Sequence, residues 1–452
     1  MNHIIPRACP PRNIAVIGSG IAGMSAAWLL NQGHHITIFE INRRIGGHAN
    51  TVDVLSEHGA TPVDTGFIVY NEPNYPNLTA LFEHLQVPTK ESEMSFAASL
   101  GGGAFEYAGT DLNGLVGQRR NILRPRFWSM MRDLLRFYRD APQLLNDTAG
   151  GDLSLGEYLE RENYGKNFIR DHLLPMGAAI WSTTAKEMAA YPAQAFVRFF
   201  VSHGLLNIAA RPQWRTVDGG SRAYVKRLTA GYQDRIRYGG VRALRRVDGK
   251  IRIEDHAGTE TVFDAVVIAT HANEAFKLLA DPSDAEKNLL GAWRYTNNRA
   301  VLHTDASLMP KRRRVWSSWN FIGDHNVASD QEAPLCVTYW MNRLQSLTHG
   351  AELFVTLNPI HEPACGTIIG EFDYTHPFFD RSALTSQRML WSLQGHRGTW
   401  FCGSYFGYGF HEDALQSGLA VAEQLGGLKR PWTVANESGR IHVTPRHQVA
   451  AA

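Results

Sequence analysis

The residues best placed to do chemistry are Gly18, Gly20, Gly23 and Glu40, in the stretch NIAVIGSGIAGMSAAWLLNQGHHITIFE that starts at Asn13. Together they could hold a dinucleotide. Gly18 permits a tight turn, Gly20 lets a pyrophosphate approach the backbone, and Gly23 lets the following helix pack closely on the preceding strand. The elements that must position them are legible around them. Asn13–Ile17 is a short apolar run suited to a buried parallel strand. Residues 21–32 read as an Ala-rich helix with a stop at Gly33. Ile21 and Ala22 open that helix, where free N–H groups and the positive dipole end face phosphate. Residues 36–39 form a second strand ending at Glu40, whose carboxylate suits a ribose diol and argues against a 2′-phosphate. A strand before, a helix after and an acid about 20 residues on are the context that gives this glycine motif its meaning.

The composition bounds the rest. The chain has 452 residues, 44% hydrophobic and 19% charged, enough for two domains with their own cores. A formal net charge of +2 implies no global attraction to nucleic acid, and none is expected as a partner. The four cysteines, Cys9, Cys336, Cys365 and Cys402, are scattered without a CxxC pair. They indicate neither a metal site nor a disulfide framework and fit a reducing cytoplasm. The N-terminus has no apolar core for a signal peptide, and no run of about 18 uncharged apolar residues spans a membrane. The expected location is cytoplasmic, with peripheral contact on the inner face of the membrane as the variant.

Along the chain, residues 51–55 and 62–69 read as strands and 78–85 as a helix, and 96–107 form a hairpin around Gly101-Gly102-Gly103. In 119–140, RRNILRPRFWSMMRDLLRFYRD, Pro125 starts a helix. Phe127, Trp128, Met131, Leu134, Leu135 and Tyr138 read as one apolar stripe, and seven arginines against Asp133 and Asp140 make the segment basic. Such a helix either lies in a membrane interface or packs its stripe on its own domain. Further helices follow in 153–215, with residues 177–182 connecting two of them. Short strands lie at 235–237, 241–247 and 264–270, and strand signals recur in 291–390. Lys311-Arg312-Arg313-Arg314 precedes Trp316, Trp319 and Phe321, a second place for contact with anionic headgroups or a solvated hairpin tip.

After Glu40 come Arg44, Gly46, Gly47 and His48, in the pattern E-x-x-x-R-x-G-G, and then Val63-Asp64-Thr65-Gly66-Phe67. This resembles the extended FAD fingerprint of the flavin amine oxidase and phytoene desaturase superfamily. Many members carry Arg where this chain has His48. Val217-Asp218-Gly219-Gly220-Ser221 resembles the family's G-G turn, and Val241 matches the position whose backbone contacts adenine. Gly403-Ser404 and the run from Gly409 through His411, Asp413 and Ala414 to Gly418 resemble the C-terminal motif, with Asp413 in place of the usual Gly. There a helix N-terminus, with the backbone around His411, would face the flavin pyrimidine. The narrower wording GFHEDALQSG is similar to bacterial FAD oxidoreductases associated with cyclopropane-fatty-acid-synthase-like enzymes.

The resemblance implies an α/β fold. A Rossmann-type FAD-binding domain would be built from 1–70, 214–290 and 391–452, and a mixed α+β substrate domain from 71–213 and 291–390. It implies FAD as cofactor and a lipid or fatty-acyl substrate, oxidised by hydride transfer to flavin N5 with oxygen or a quinone as acceptor. An amine oxidase releasing peroxide, a flavin-dependent isomerase and a non-catalytic FAD-bearing lipid-binding protein stand as alternatives. Tyr405, Phe406 and Tyr408, just before the flavin-facing helix, are candidate cavity walls or core packing at a strand end. Tyr405, Tyr408 and His203 are the residues named for catalysis, with Trp181 beside His203 in the helical block; a structural histidine is the other reading of His203.

Overall fold

Asn13–Ile17 lies at the centre of a five-stranded, all-parallel sheet, between His35–Glu40 and Ala265–Ile268, with Ile236–Tyr238 and Thr399–Phe401 at the edges. A central strand must be apolar on both faces, and Ile14 to Ile17 are all buried. The computed structural model describes residues 10–57, 59–147, 153–181, 183–207, 212–323, 336–348 and 350–444. Cys9, Ser182 and the two chain ends assigned to the first domain lie outside them.

The helix Ile21–Leu30 follows directly, and nine of its ten residues are buried. Its small residues let the C-terminal helix His411–Gly426 come very close. A Cβ built on Gly418 would stand 2.3 Å from the carbonyl oxygen of Ala22 and 2.6 Å from Ser25 Oγ. The first and last helices are thus pressed together over the glycine loop.

A second sheet has seven strands in the order Ile368–Phe378, Arg294–His303, Phe354–Leu357, Cys336–Trp340, Trp319–Gly323, Phe96–Leu100 and Phe105–Ala108. Its edge strand, Ile368–Phe378, runs antiparallel along Arg294–His303. The strand is absent from the sequence reading, because Gly370, Asp373 and Pro377 break its pattern. Proline is tolerated there since an edge strand leaves one side of its backbone unpaired. A small sheet of Val69–Asn71, Trp214–Val217 and Thr89–Ser92 ties the segments entering and leaving the helical block.

The helical reading needs two corrections. Residues 177–181 do not connect helices; they belong to the helix Leu174–Trp181. The helix Pro125–Asp140 buries Phe127, Met130, Leu134 and Phe137, not the six-residue stripe read from the sequence. Apolar residues occupy so much of its circumference that the buried face was displaced by about one position, leaving Trp128 and Leu135 outside, 55% and 48% exposed.

Asp64 knots the segments together. Fully buried, it accepts hydrogen bonds from Thr51 Oγ1 at 2.6 Å, Ser221 Oγ at 2.7 Å, Ser221 N at 2.9 Å and Gln345 Nε2 at 2.8 Å. Burial outweighs these donors and pushes its carboxyl up to about 6. A raised carboxyl makes the folded state hold its proton longer than the unfolded chain. Its contribution to stability therefore falls as pH climbs from about 4 to about 6, by roughly 2–3 kcal/mol. Asp64→Asn carries a fixed cost from the lost acceptor. The stability advantage of the native chain over Asp64→Asn, followed by thermal melts, is expected to shrink across that window; an advantage that grows with pH would contradict the assignment.

Candidate functional site

The glycine loop leaves open space where a ligand would need it. The helix Ile21–Leu30 starts at Gly20 with no side-chain cap and no acid in its first turn. The N–H groups of Ile21, Ala22 and Gly23 therefore have no acceptor within the helix. A Cβ on Gly20 would meet nothing within 4 Å, whereas a Cβ on Gly23 would lie 2.0 Å from the carbonyl oxygen of Gly18. The two glycines do different work: Gly23 closes helix on strand, and Gly20 keeps the approach clear. Gly18, with φ at +101°, makes the turn that leads out of the strand before them.

Glu40 is buried beside this loop. Its carboxylate accepts from Ser19 N at 3.0 Å, from the Ser19 hydroxyl, and from Asn42 N at 2.8 Å. Its carbonyl accepts from Gly239 and Gly240 N–H, which lead into Val241. Glu40 and Val241 thus meet at one end of the loop. Toward the other end, Gly46 N–H donates to Ser19 O at 3.0 Å. Gly47 packs on Gly20, and Arg44 reaches back to the Gly47 carbonyl at 2.8 Å. Gly66 presses on the His48 carbonyl, which accepts from Phe67 N–H at 2.7 Å. Phe67 stacks on His411, ring centroids 3.7 Å apart. One continuous path of contacts runs from the glycine loop to the start of the C-terminal helix.

At the end of that path four imidazoles gather from distant segments: His48, His271, His376 and His411. His48 lies 5.4 Å from His376 and 5.1 Å from Tyr374, centroid to centroid, and 6.4 Å from His271. His271 faces Thr375 Oγ1 at 3.0 Å, His376 takes the Asn298 amide at 3.0 Å, and His411 pairs with the Tyr224 hydroxyl at 2.9 Å. His48 Nε2 is buried without a hydrogen-bond partner. Burial pulls all four down, His48 and His271 to about 4, His376 and His411 to about 3. Neighbouring imidazoles add to the effect at His48, His376 and His411. All four rings are therefore neutral near pH 7. They sit deep in the protein, yet each residue keeps some accessible surface, and the contact between His271 and Thr375 places them where the edge strand Ile368–Phe378 meets the end of the parallel strand Ala265–Ile268. Among the described residues the only ion-pair distance to any of the four is Glu274 to His271, at 3.7 Å, and Glu274 is half exposed. A cluster of neutral imidazoles and aromatic rings, joined by these contacts to the glycine loop, suits a flat conjugated ring.

The first turn of His411–Gly426 carries two buried acids. Glu412 caps the neighbouring helix Pro76–His84, accepting from Asn77 N at 3.1 Å and Leu78 N at 3.0 Å. Asp413 accepts from Phe410 N at 2.8 Å and lies 2.9 Å from the Arg440 guanidinium; burial nonetheless raises its carboxyl to about 6. Gly403 is held at this turn by Ser417, whose hydroxyl accepts from Gly403 N–H at 2.9 Å. The Ser404 carbonyl accepts from the N–H groups of Gly407 and Gly409, and Ala414 N–H closes on Phe410 O.

The residues named for catalysis come from two segments, Tyr405 and Tyr408 before the C-terminal helix and His203 in the helical block. Tyr405 is 1% exposed and packs on Trp293 and Phe406, so it sits in the core at the strand end. Tyr408 is half-buried beneath Arg440. His203, buried in the helical block, stacks on Phe199 at 3.8 Å; Phe199 stacks in turn on Phe410 and packs on Trp181. Burial takes His203 down to about 3. The sequence reading did not single out His271, Tyr374, His376 or Tyr224 for the site. His271 had a signal that could have found it, since it follows the end of a parallel strand, where such sheets place their ligands. Tyr374 and His376 had none, riding on the unread edge strand.

Residues 16–85 match the family model described as an NAD(P)-binding Rossmann-like domain. An L-amino-acid oxidase from Pseudechis australis is 42% identical over 48 residues, 10% of this chain and 9% of the relative. The chain thus matches less than a tenth of that relative's length. Solved structures are similar over nearly the whole chain. A putrescine oxidase bound to putrescine aligns at TM-score 0.66 with 13% identity, over 92% of this chain and 99% of its own. A CLA-producing fatty acid isomerase from P. acnes aligns at TM-score 0.63 with 16% identity, over 90% and 96%. The chain has an α/β fold with a Rossmann-type nucleotide-binding domain, the architecture of the amine oxidases.

Two glycine substitutions separate the loop's roles. Gly20→Trp points into open space and is expected to leave the melting temperature near that of the native chain while lowering dinucleotide affinity by about 100-fold or more. Gly23→Val must move backbone and is expected to lower stability by several kcal/mol. Native-like binding by Gly20→Trp, in a dye-free calorimetric titration, would contradict this geometry.

Proposed function

We propose that this chain is an FAD-dependent oxidoreductase that acts on an apolar substrate, a lipid or fatty-acyl chain. The observation that carries the reading is the cluster of neutral imidazoles at His48, His271, His376 and His411. The chain's buried acids near it are already engaged: Asp64 by Thr51, Ser221 and Gln345, Glu412 by the helix Pro76–His84, and Asp413 by Arg440. Glu274, 3.7 Å from the His271 ring, also accepts from His271 N–H at 3.2 Å, so an ammonium substrate would have to compete for carboxylates already bonded, whereas an acyl chain requires none. The similarity in fold to a CLA-producing fatty acid isomerase supports the same substrate class.

When bound, FAD supplies a hydride acceptor for a substrate C–H. The residues of this chain then have separable tasks. The N–H groups of Ile21, Ala22 and Gly23 would hold the pyrophosphate, with Glu40 at the ribose and Val241 beside the adenine. Gly46, Gly47, His48, Gly66 and Phe67 would line the passage to the ring. The N-terminus of His411–Gly426 would place its dipole toward negative charge developing on the ring, while a buried acid in its first turn opposes that charge when ionised. The neutral imidazoles add no charge of their own beside Arg44, and Tyr374 and Phe67 supply aromatic faces.

An amine oxidase remains the second reading, on the strength of the putrescine oxidase similarity. Anaerobic mixing separates the two. The FAD-loaded protein is expected to lose its visible flavin absorption with an unsaturated fatty acid or a cellular lipid fraction and to keep it with putrescine or an L-amino acid. Bleaching by the amines alone would overturn the lipid reading. Isomer formation without any bleaching would make the reaction an isomerisation without net oxidation.

A further inference from the structure

The two basic segments that the function leaves unused come together on one face. Arg120 and Arg124 both donate to the Ala104 carbonyl, at 3.0 and 2.7 Å, and Arg312 donates to the Gly103 carbonyl at 3.0 Å. Lys311 N–H and the Arg312 guanidinium both bond to the buried Glu106, at 2.7 and 2.6 Å. Arg314 packs against Gly117. The hairpin turn 101–104 is therefore gripped from both sides by cations roughly 200 residues apart in sequence. Arg124 is pulled below its ordinary value by burial and by Arg120, Arg126 and Arg312. Among the described residues, Arg119, Arg120, Arg124, Lys311 and Arg314 have no acidic partner.

This face also carries large apolar side chains that nothing covers. Leu123 is 85% exposed, Trp128 55%, Leu135 48% and Ile122 43%. Trp128 is pinned rather than loose, its indole N–H donating to the Ile122 carbonyl at 2.7 Å. At about 100° per residue, Trp128, Arg132, Leu135 and Arg139 of the helix Pro125–Asp140 project within about 60° of one another, opposite the buried Phe127, Met130 and Phe137. Leu112, 81% exposed, stands on the short helix Leu112–Leu115 that packs against the same hairpin and the 313–315 turn. The acids of this face are committed: Asp111 caps its own helix, Asp133 is buried, and Asp140 pairs with Arg139.

We propose that the face formed by residues 112–139 and 311–314 docks on an anionic lipid surface, with Leu123, Trp128 and Leu135 entering the interface and Arg119, Arg120, Arg124, Lys311 and Arg314 meeting the headgroups. Exposed leucines beside a pinned tryptophan, under a collar of unpaired cations, fit the boundary between headgroup and acyl chain. A phosphate backbone would use the cations and leave Leu123 and Leu135 unexplained. Among the described residues no helix is long and apolar enough to cross a membrane, so the contact is peripheral. This goes beyond the oxidoreductase reading and does not depend on it, since docking is read without turnover.

The test is flotation of the FAD-loaded protein with vesicles of phosphatidylcholine alone or mixed with phosphatidylglycerol, at low and high salt. The native chain is expected to float with the phosphatidylglycerol vesicles at low salt only. Arg119→Glu with Arg120→Glu is expected to lower binding about ten-fold or more. Leu123→Ser with Leu135→Ser should lower binding comparably while leaving its salt dependence in place. All four side chains are exposed, and circular dichroism melts check that the variants remain folded. No flotation at low salt, or flotation unchanged by both pairs, would overturn the proposal. Tight, arginine-dependent binding to a short duplex RNA with no vesicle binding would overturn it as well.

Discussion

The close approach of the first and last helices is the constraint on which the rest of the structure depends. Gly418 and the Ala22–Ser25 stretch meet with no room for a side chain between them. That contact brings residues from the two ends of the sequence to one side of the parallel sheet. It sets the start of the C-terminal helix over the loop that begins with Gly18. Because the contact depends on absent atoms, its tolerance is narrow: any Cβ at 418 would strike backbone that also forms the nucleotide loop.

The buried acids follow from the same economy. A carboxylate inside a protein is costly unless donors surround it. Asp64 and Glu412 each spend theirs on joining segments, Asp64 linking 51, 221 and 345 and Glu412 capping a neighbouring helix. The four imidazoles are uncharged at neutral pH, because burial keeps them from taking protons and, at His48, His376 and His411, neighbouring imidazoles add to it.

Much of this was legible in the sequence, for physical reasons that differ from place to place. The glycine loop could be read because each glycine answers a local steric demand. The hairpin at 96–108 and the start of the helix at Pro125 were equally local. The imidazole cluster was not legible, because it is assembled from side chains at 48, 271, 374, 376 and 411 that only tertiary packing brings together. The strand carrying Tyr374 and His376 hid behind Gly370 and Pro377, which an edge position tolerates. The basic helix misled for the opposite reason: with apolar residues on two faces, periodicity alone could not say whether Leu135 or Phe137 is buried.

Three separated segments, 18–24, 44–67 and 403–414, are proposed to hold one flavin dinucleotide between them. Amide hydrogen exchange with and without FAD, followed by mass spectrometry, tests it most directly. Added protection is expected in all three segments and at 374–376, saturating together at one equivalent of FAD. Protection confined to 18–48, or none at 403–414, would contradict it.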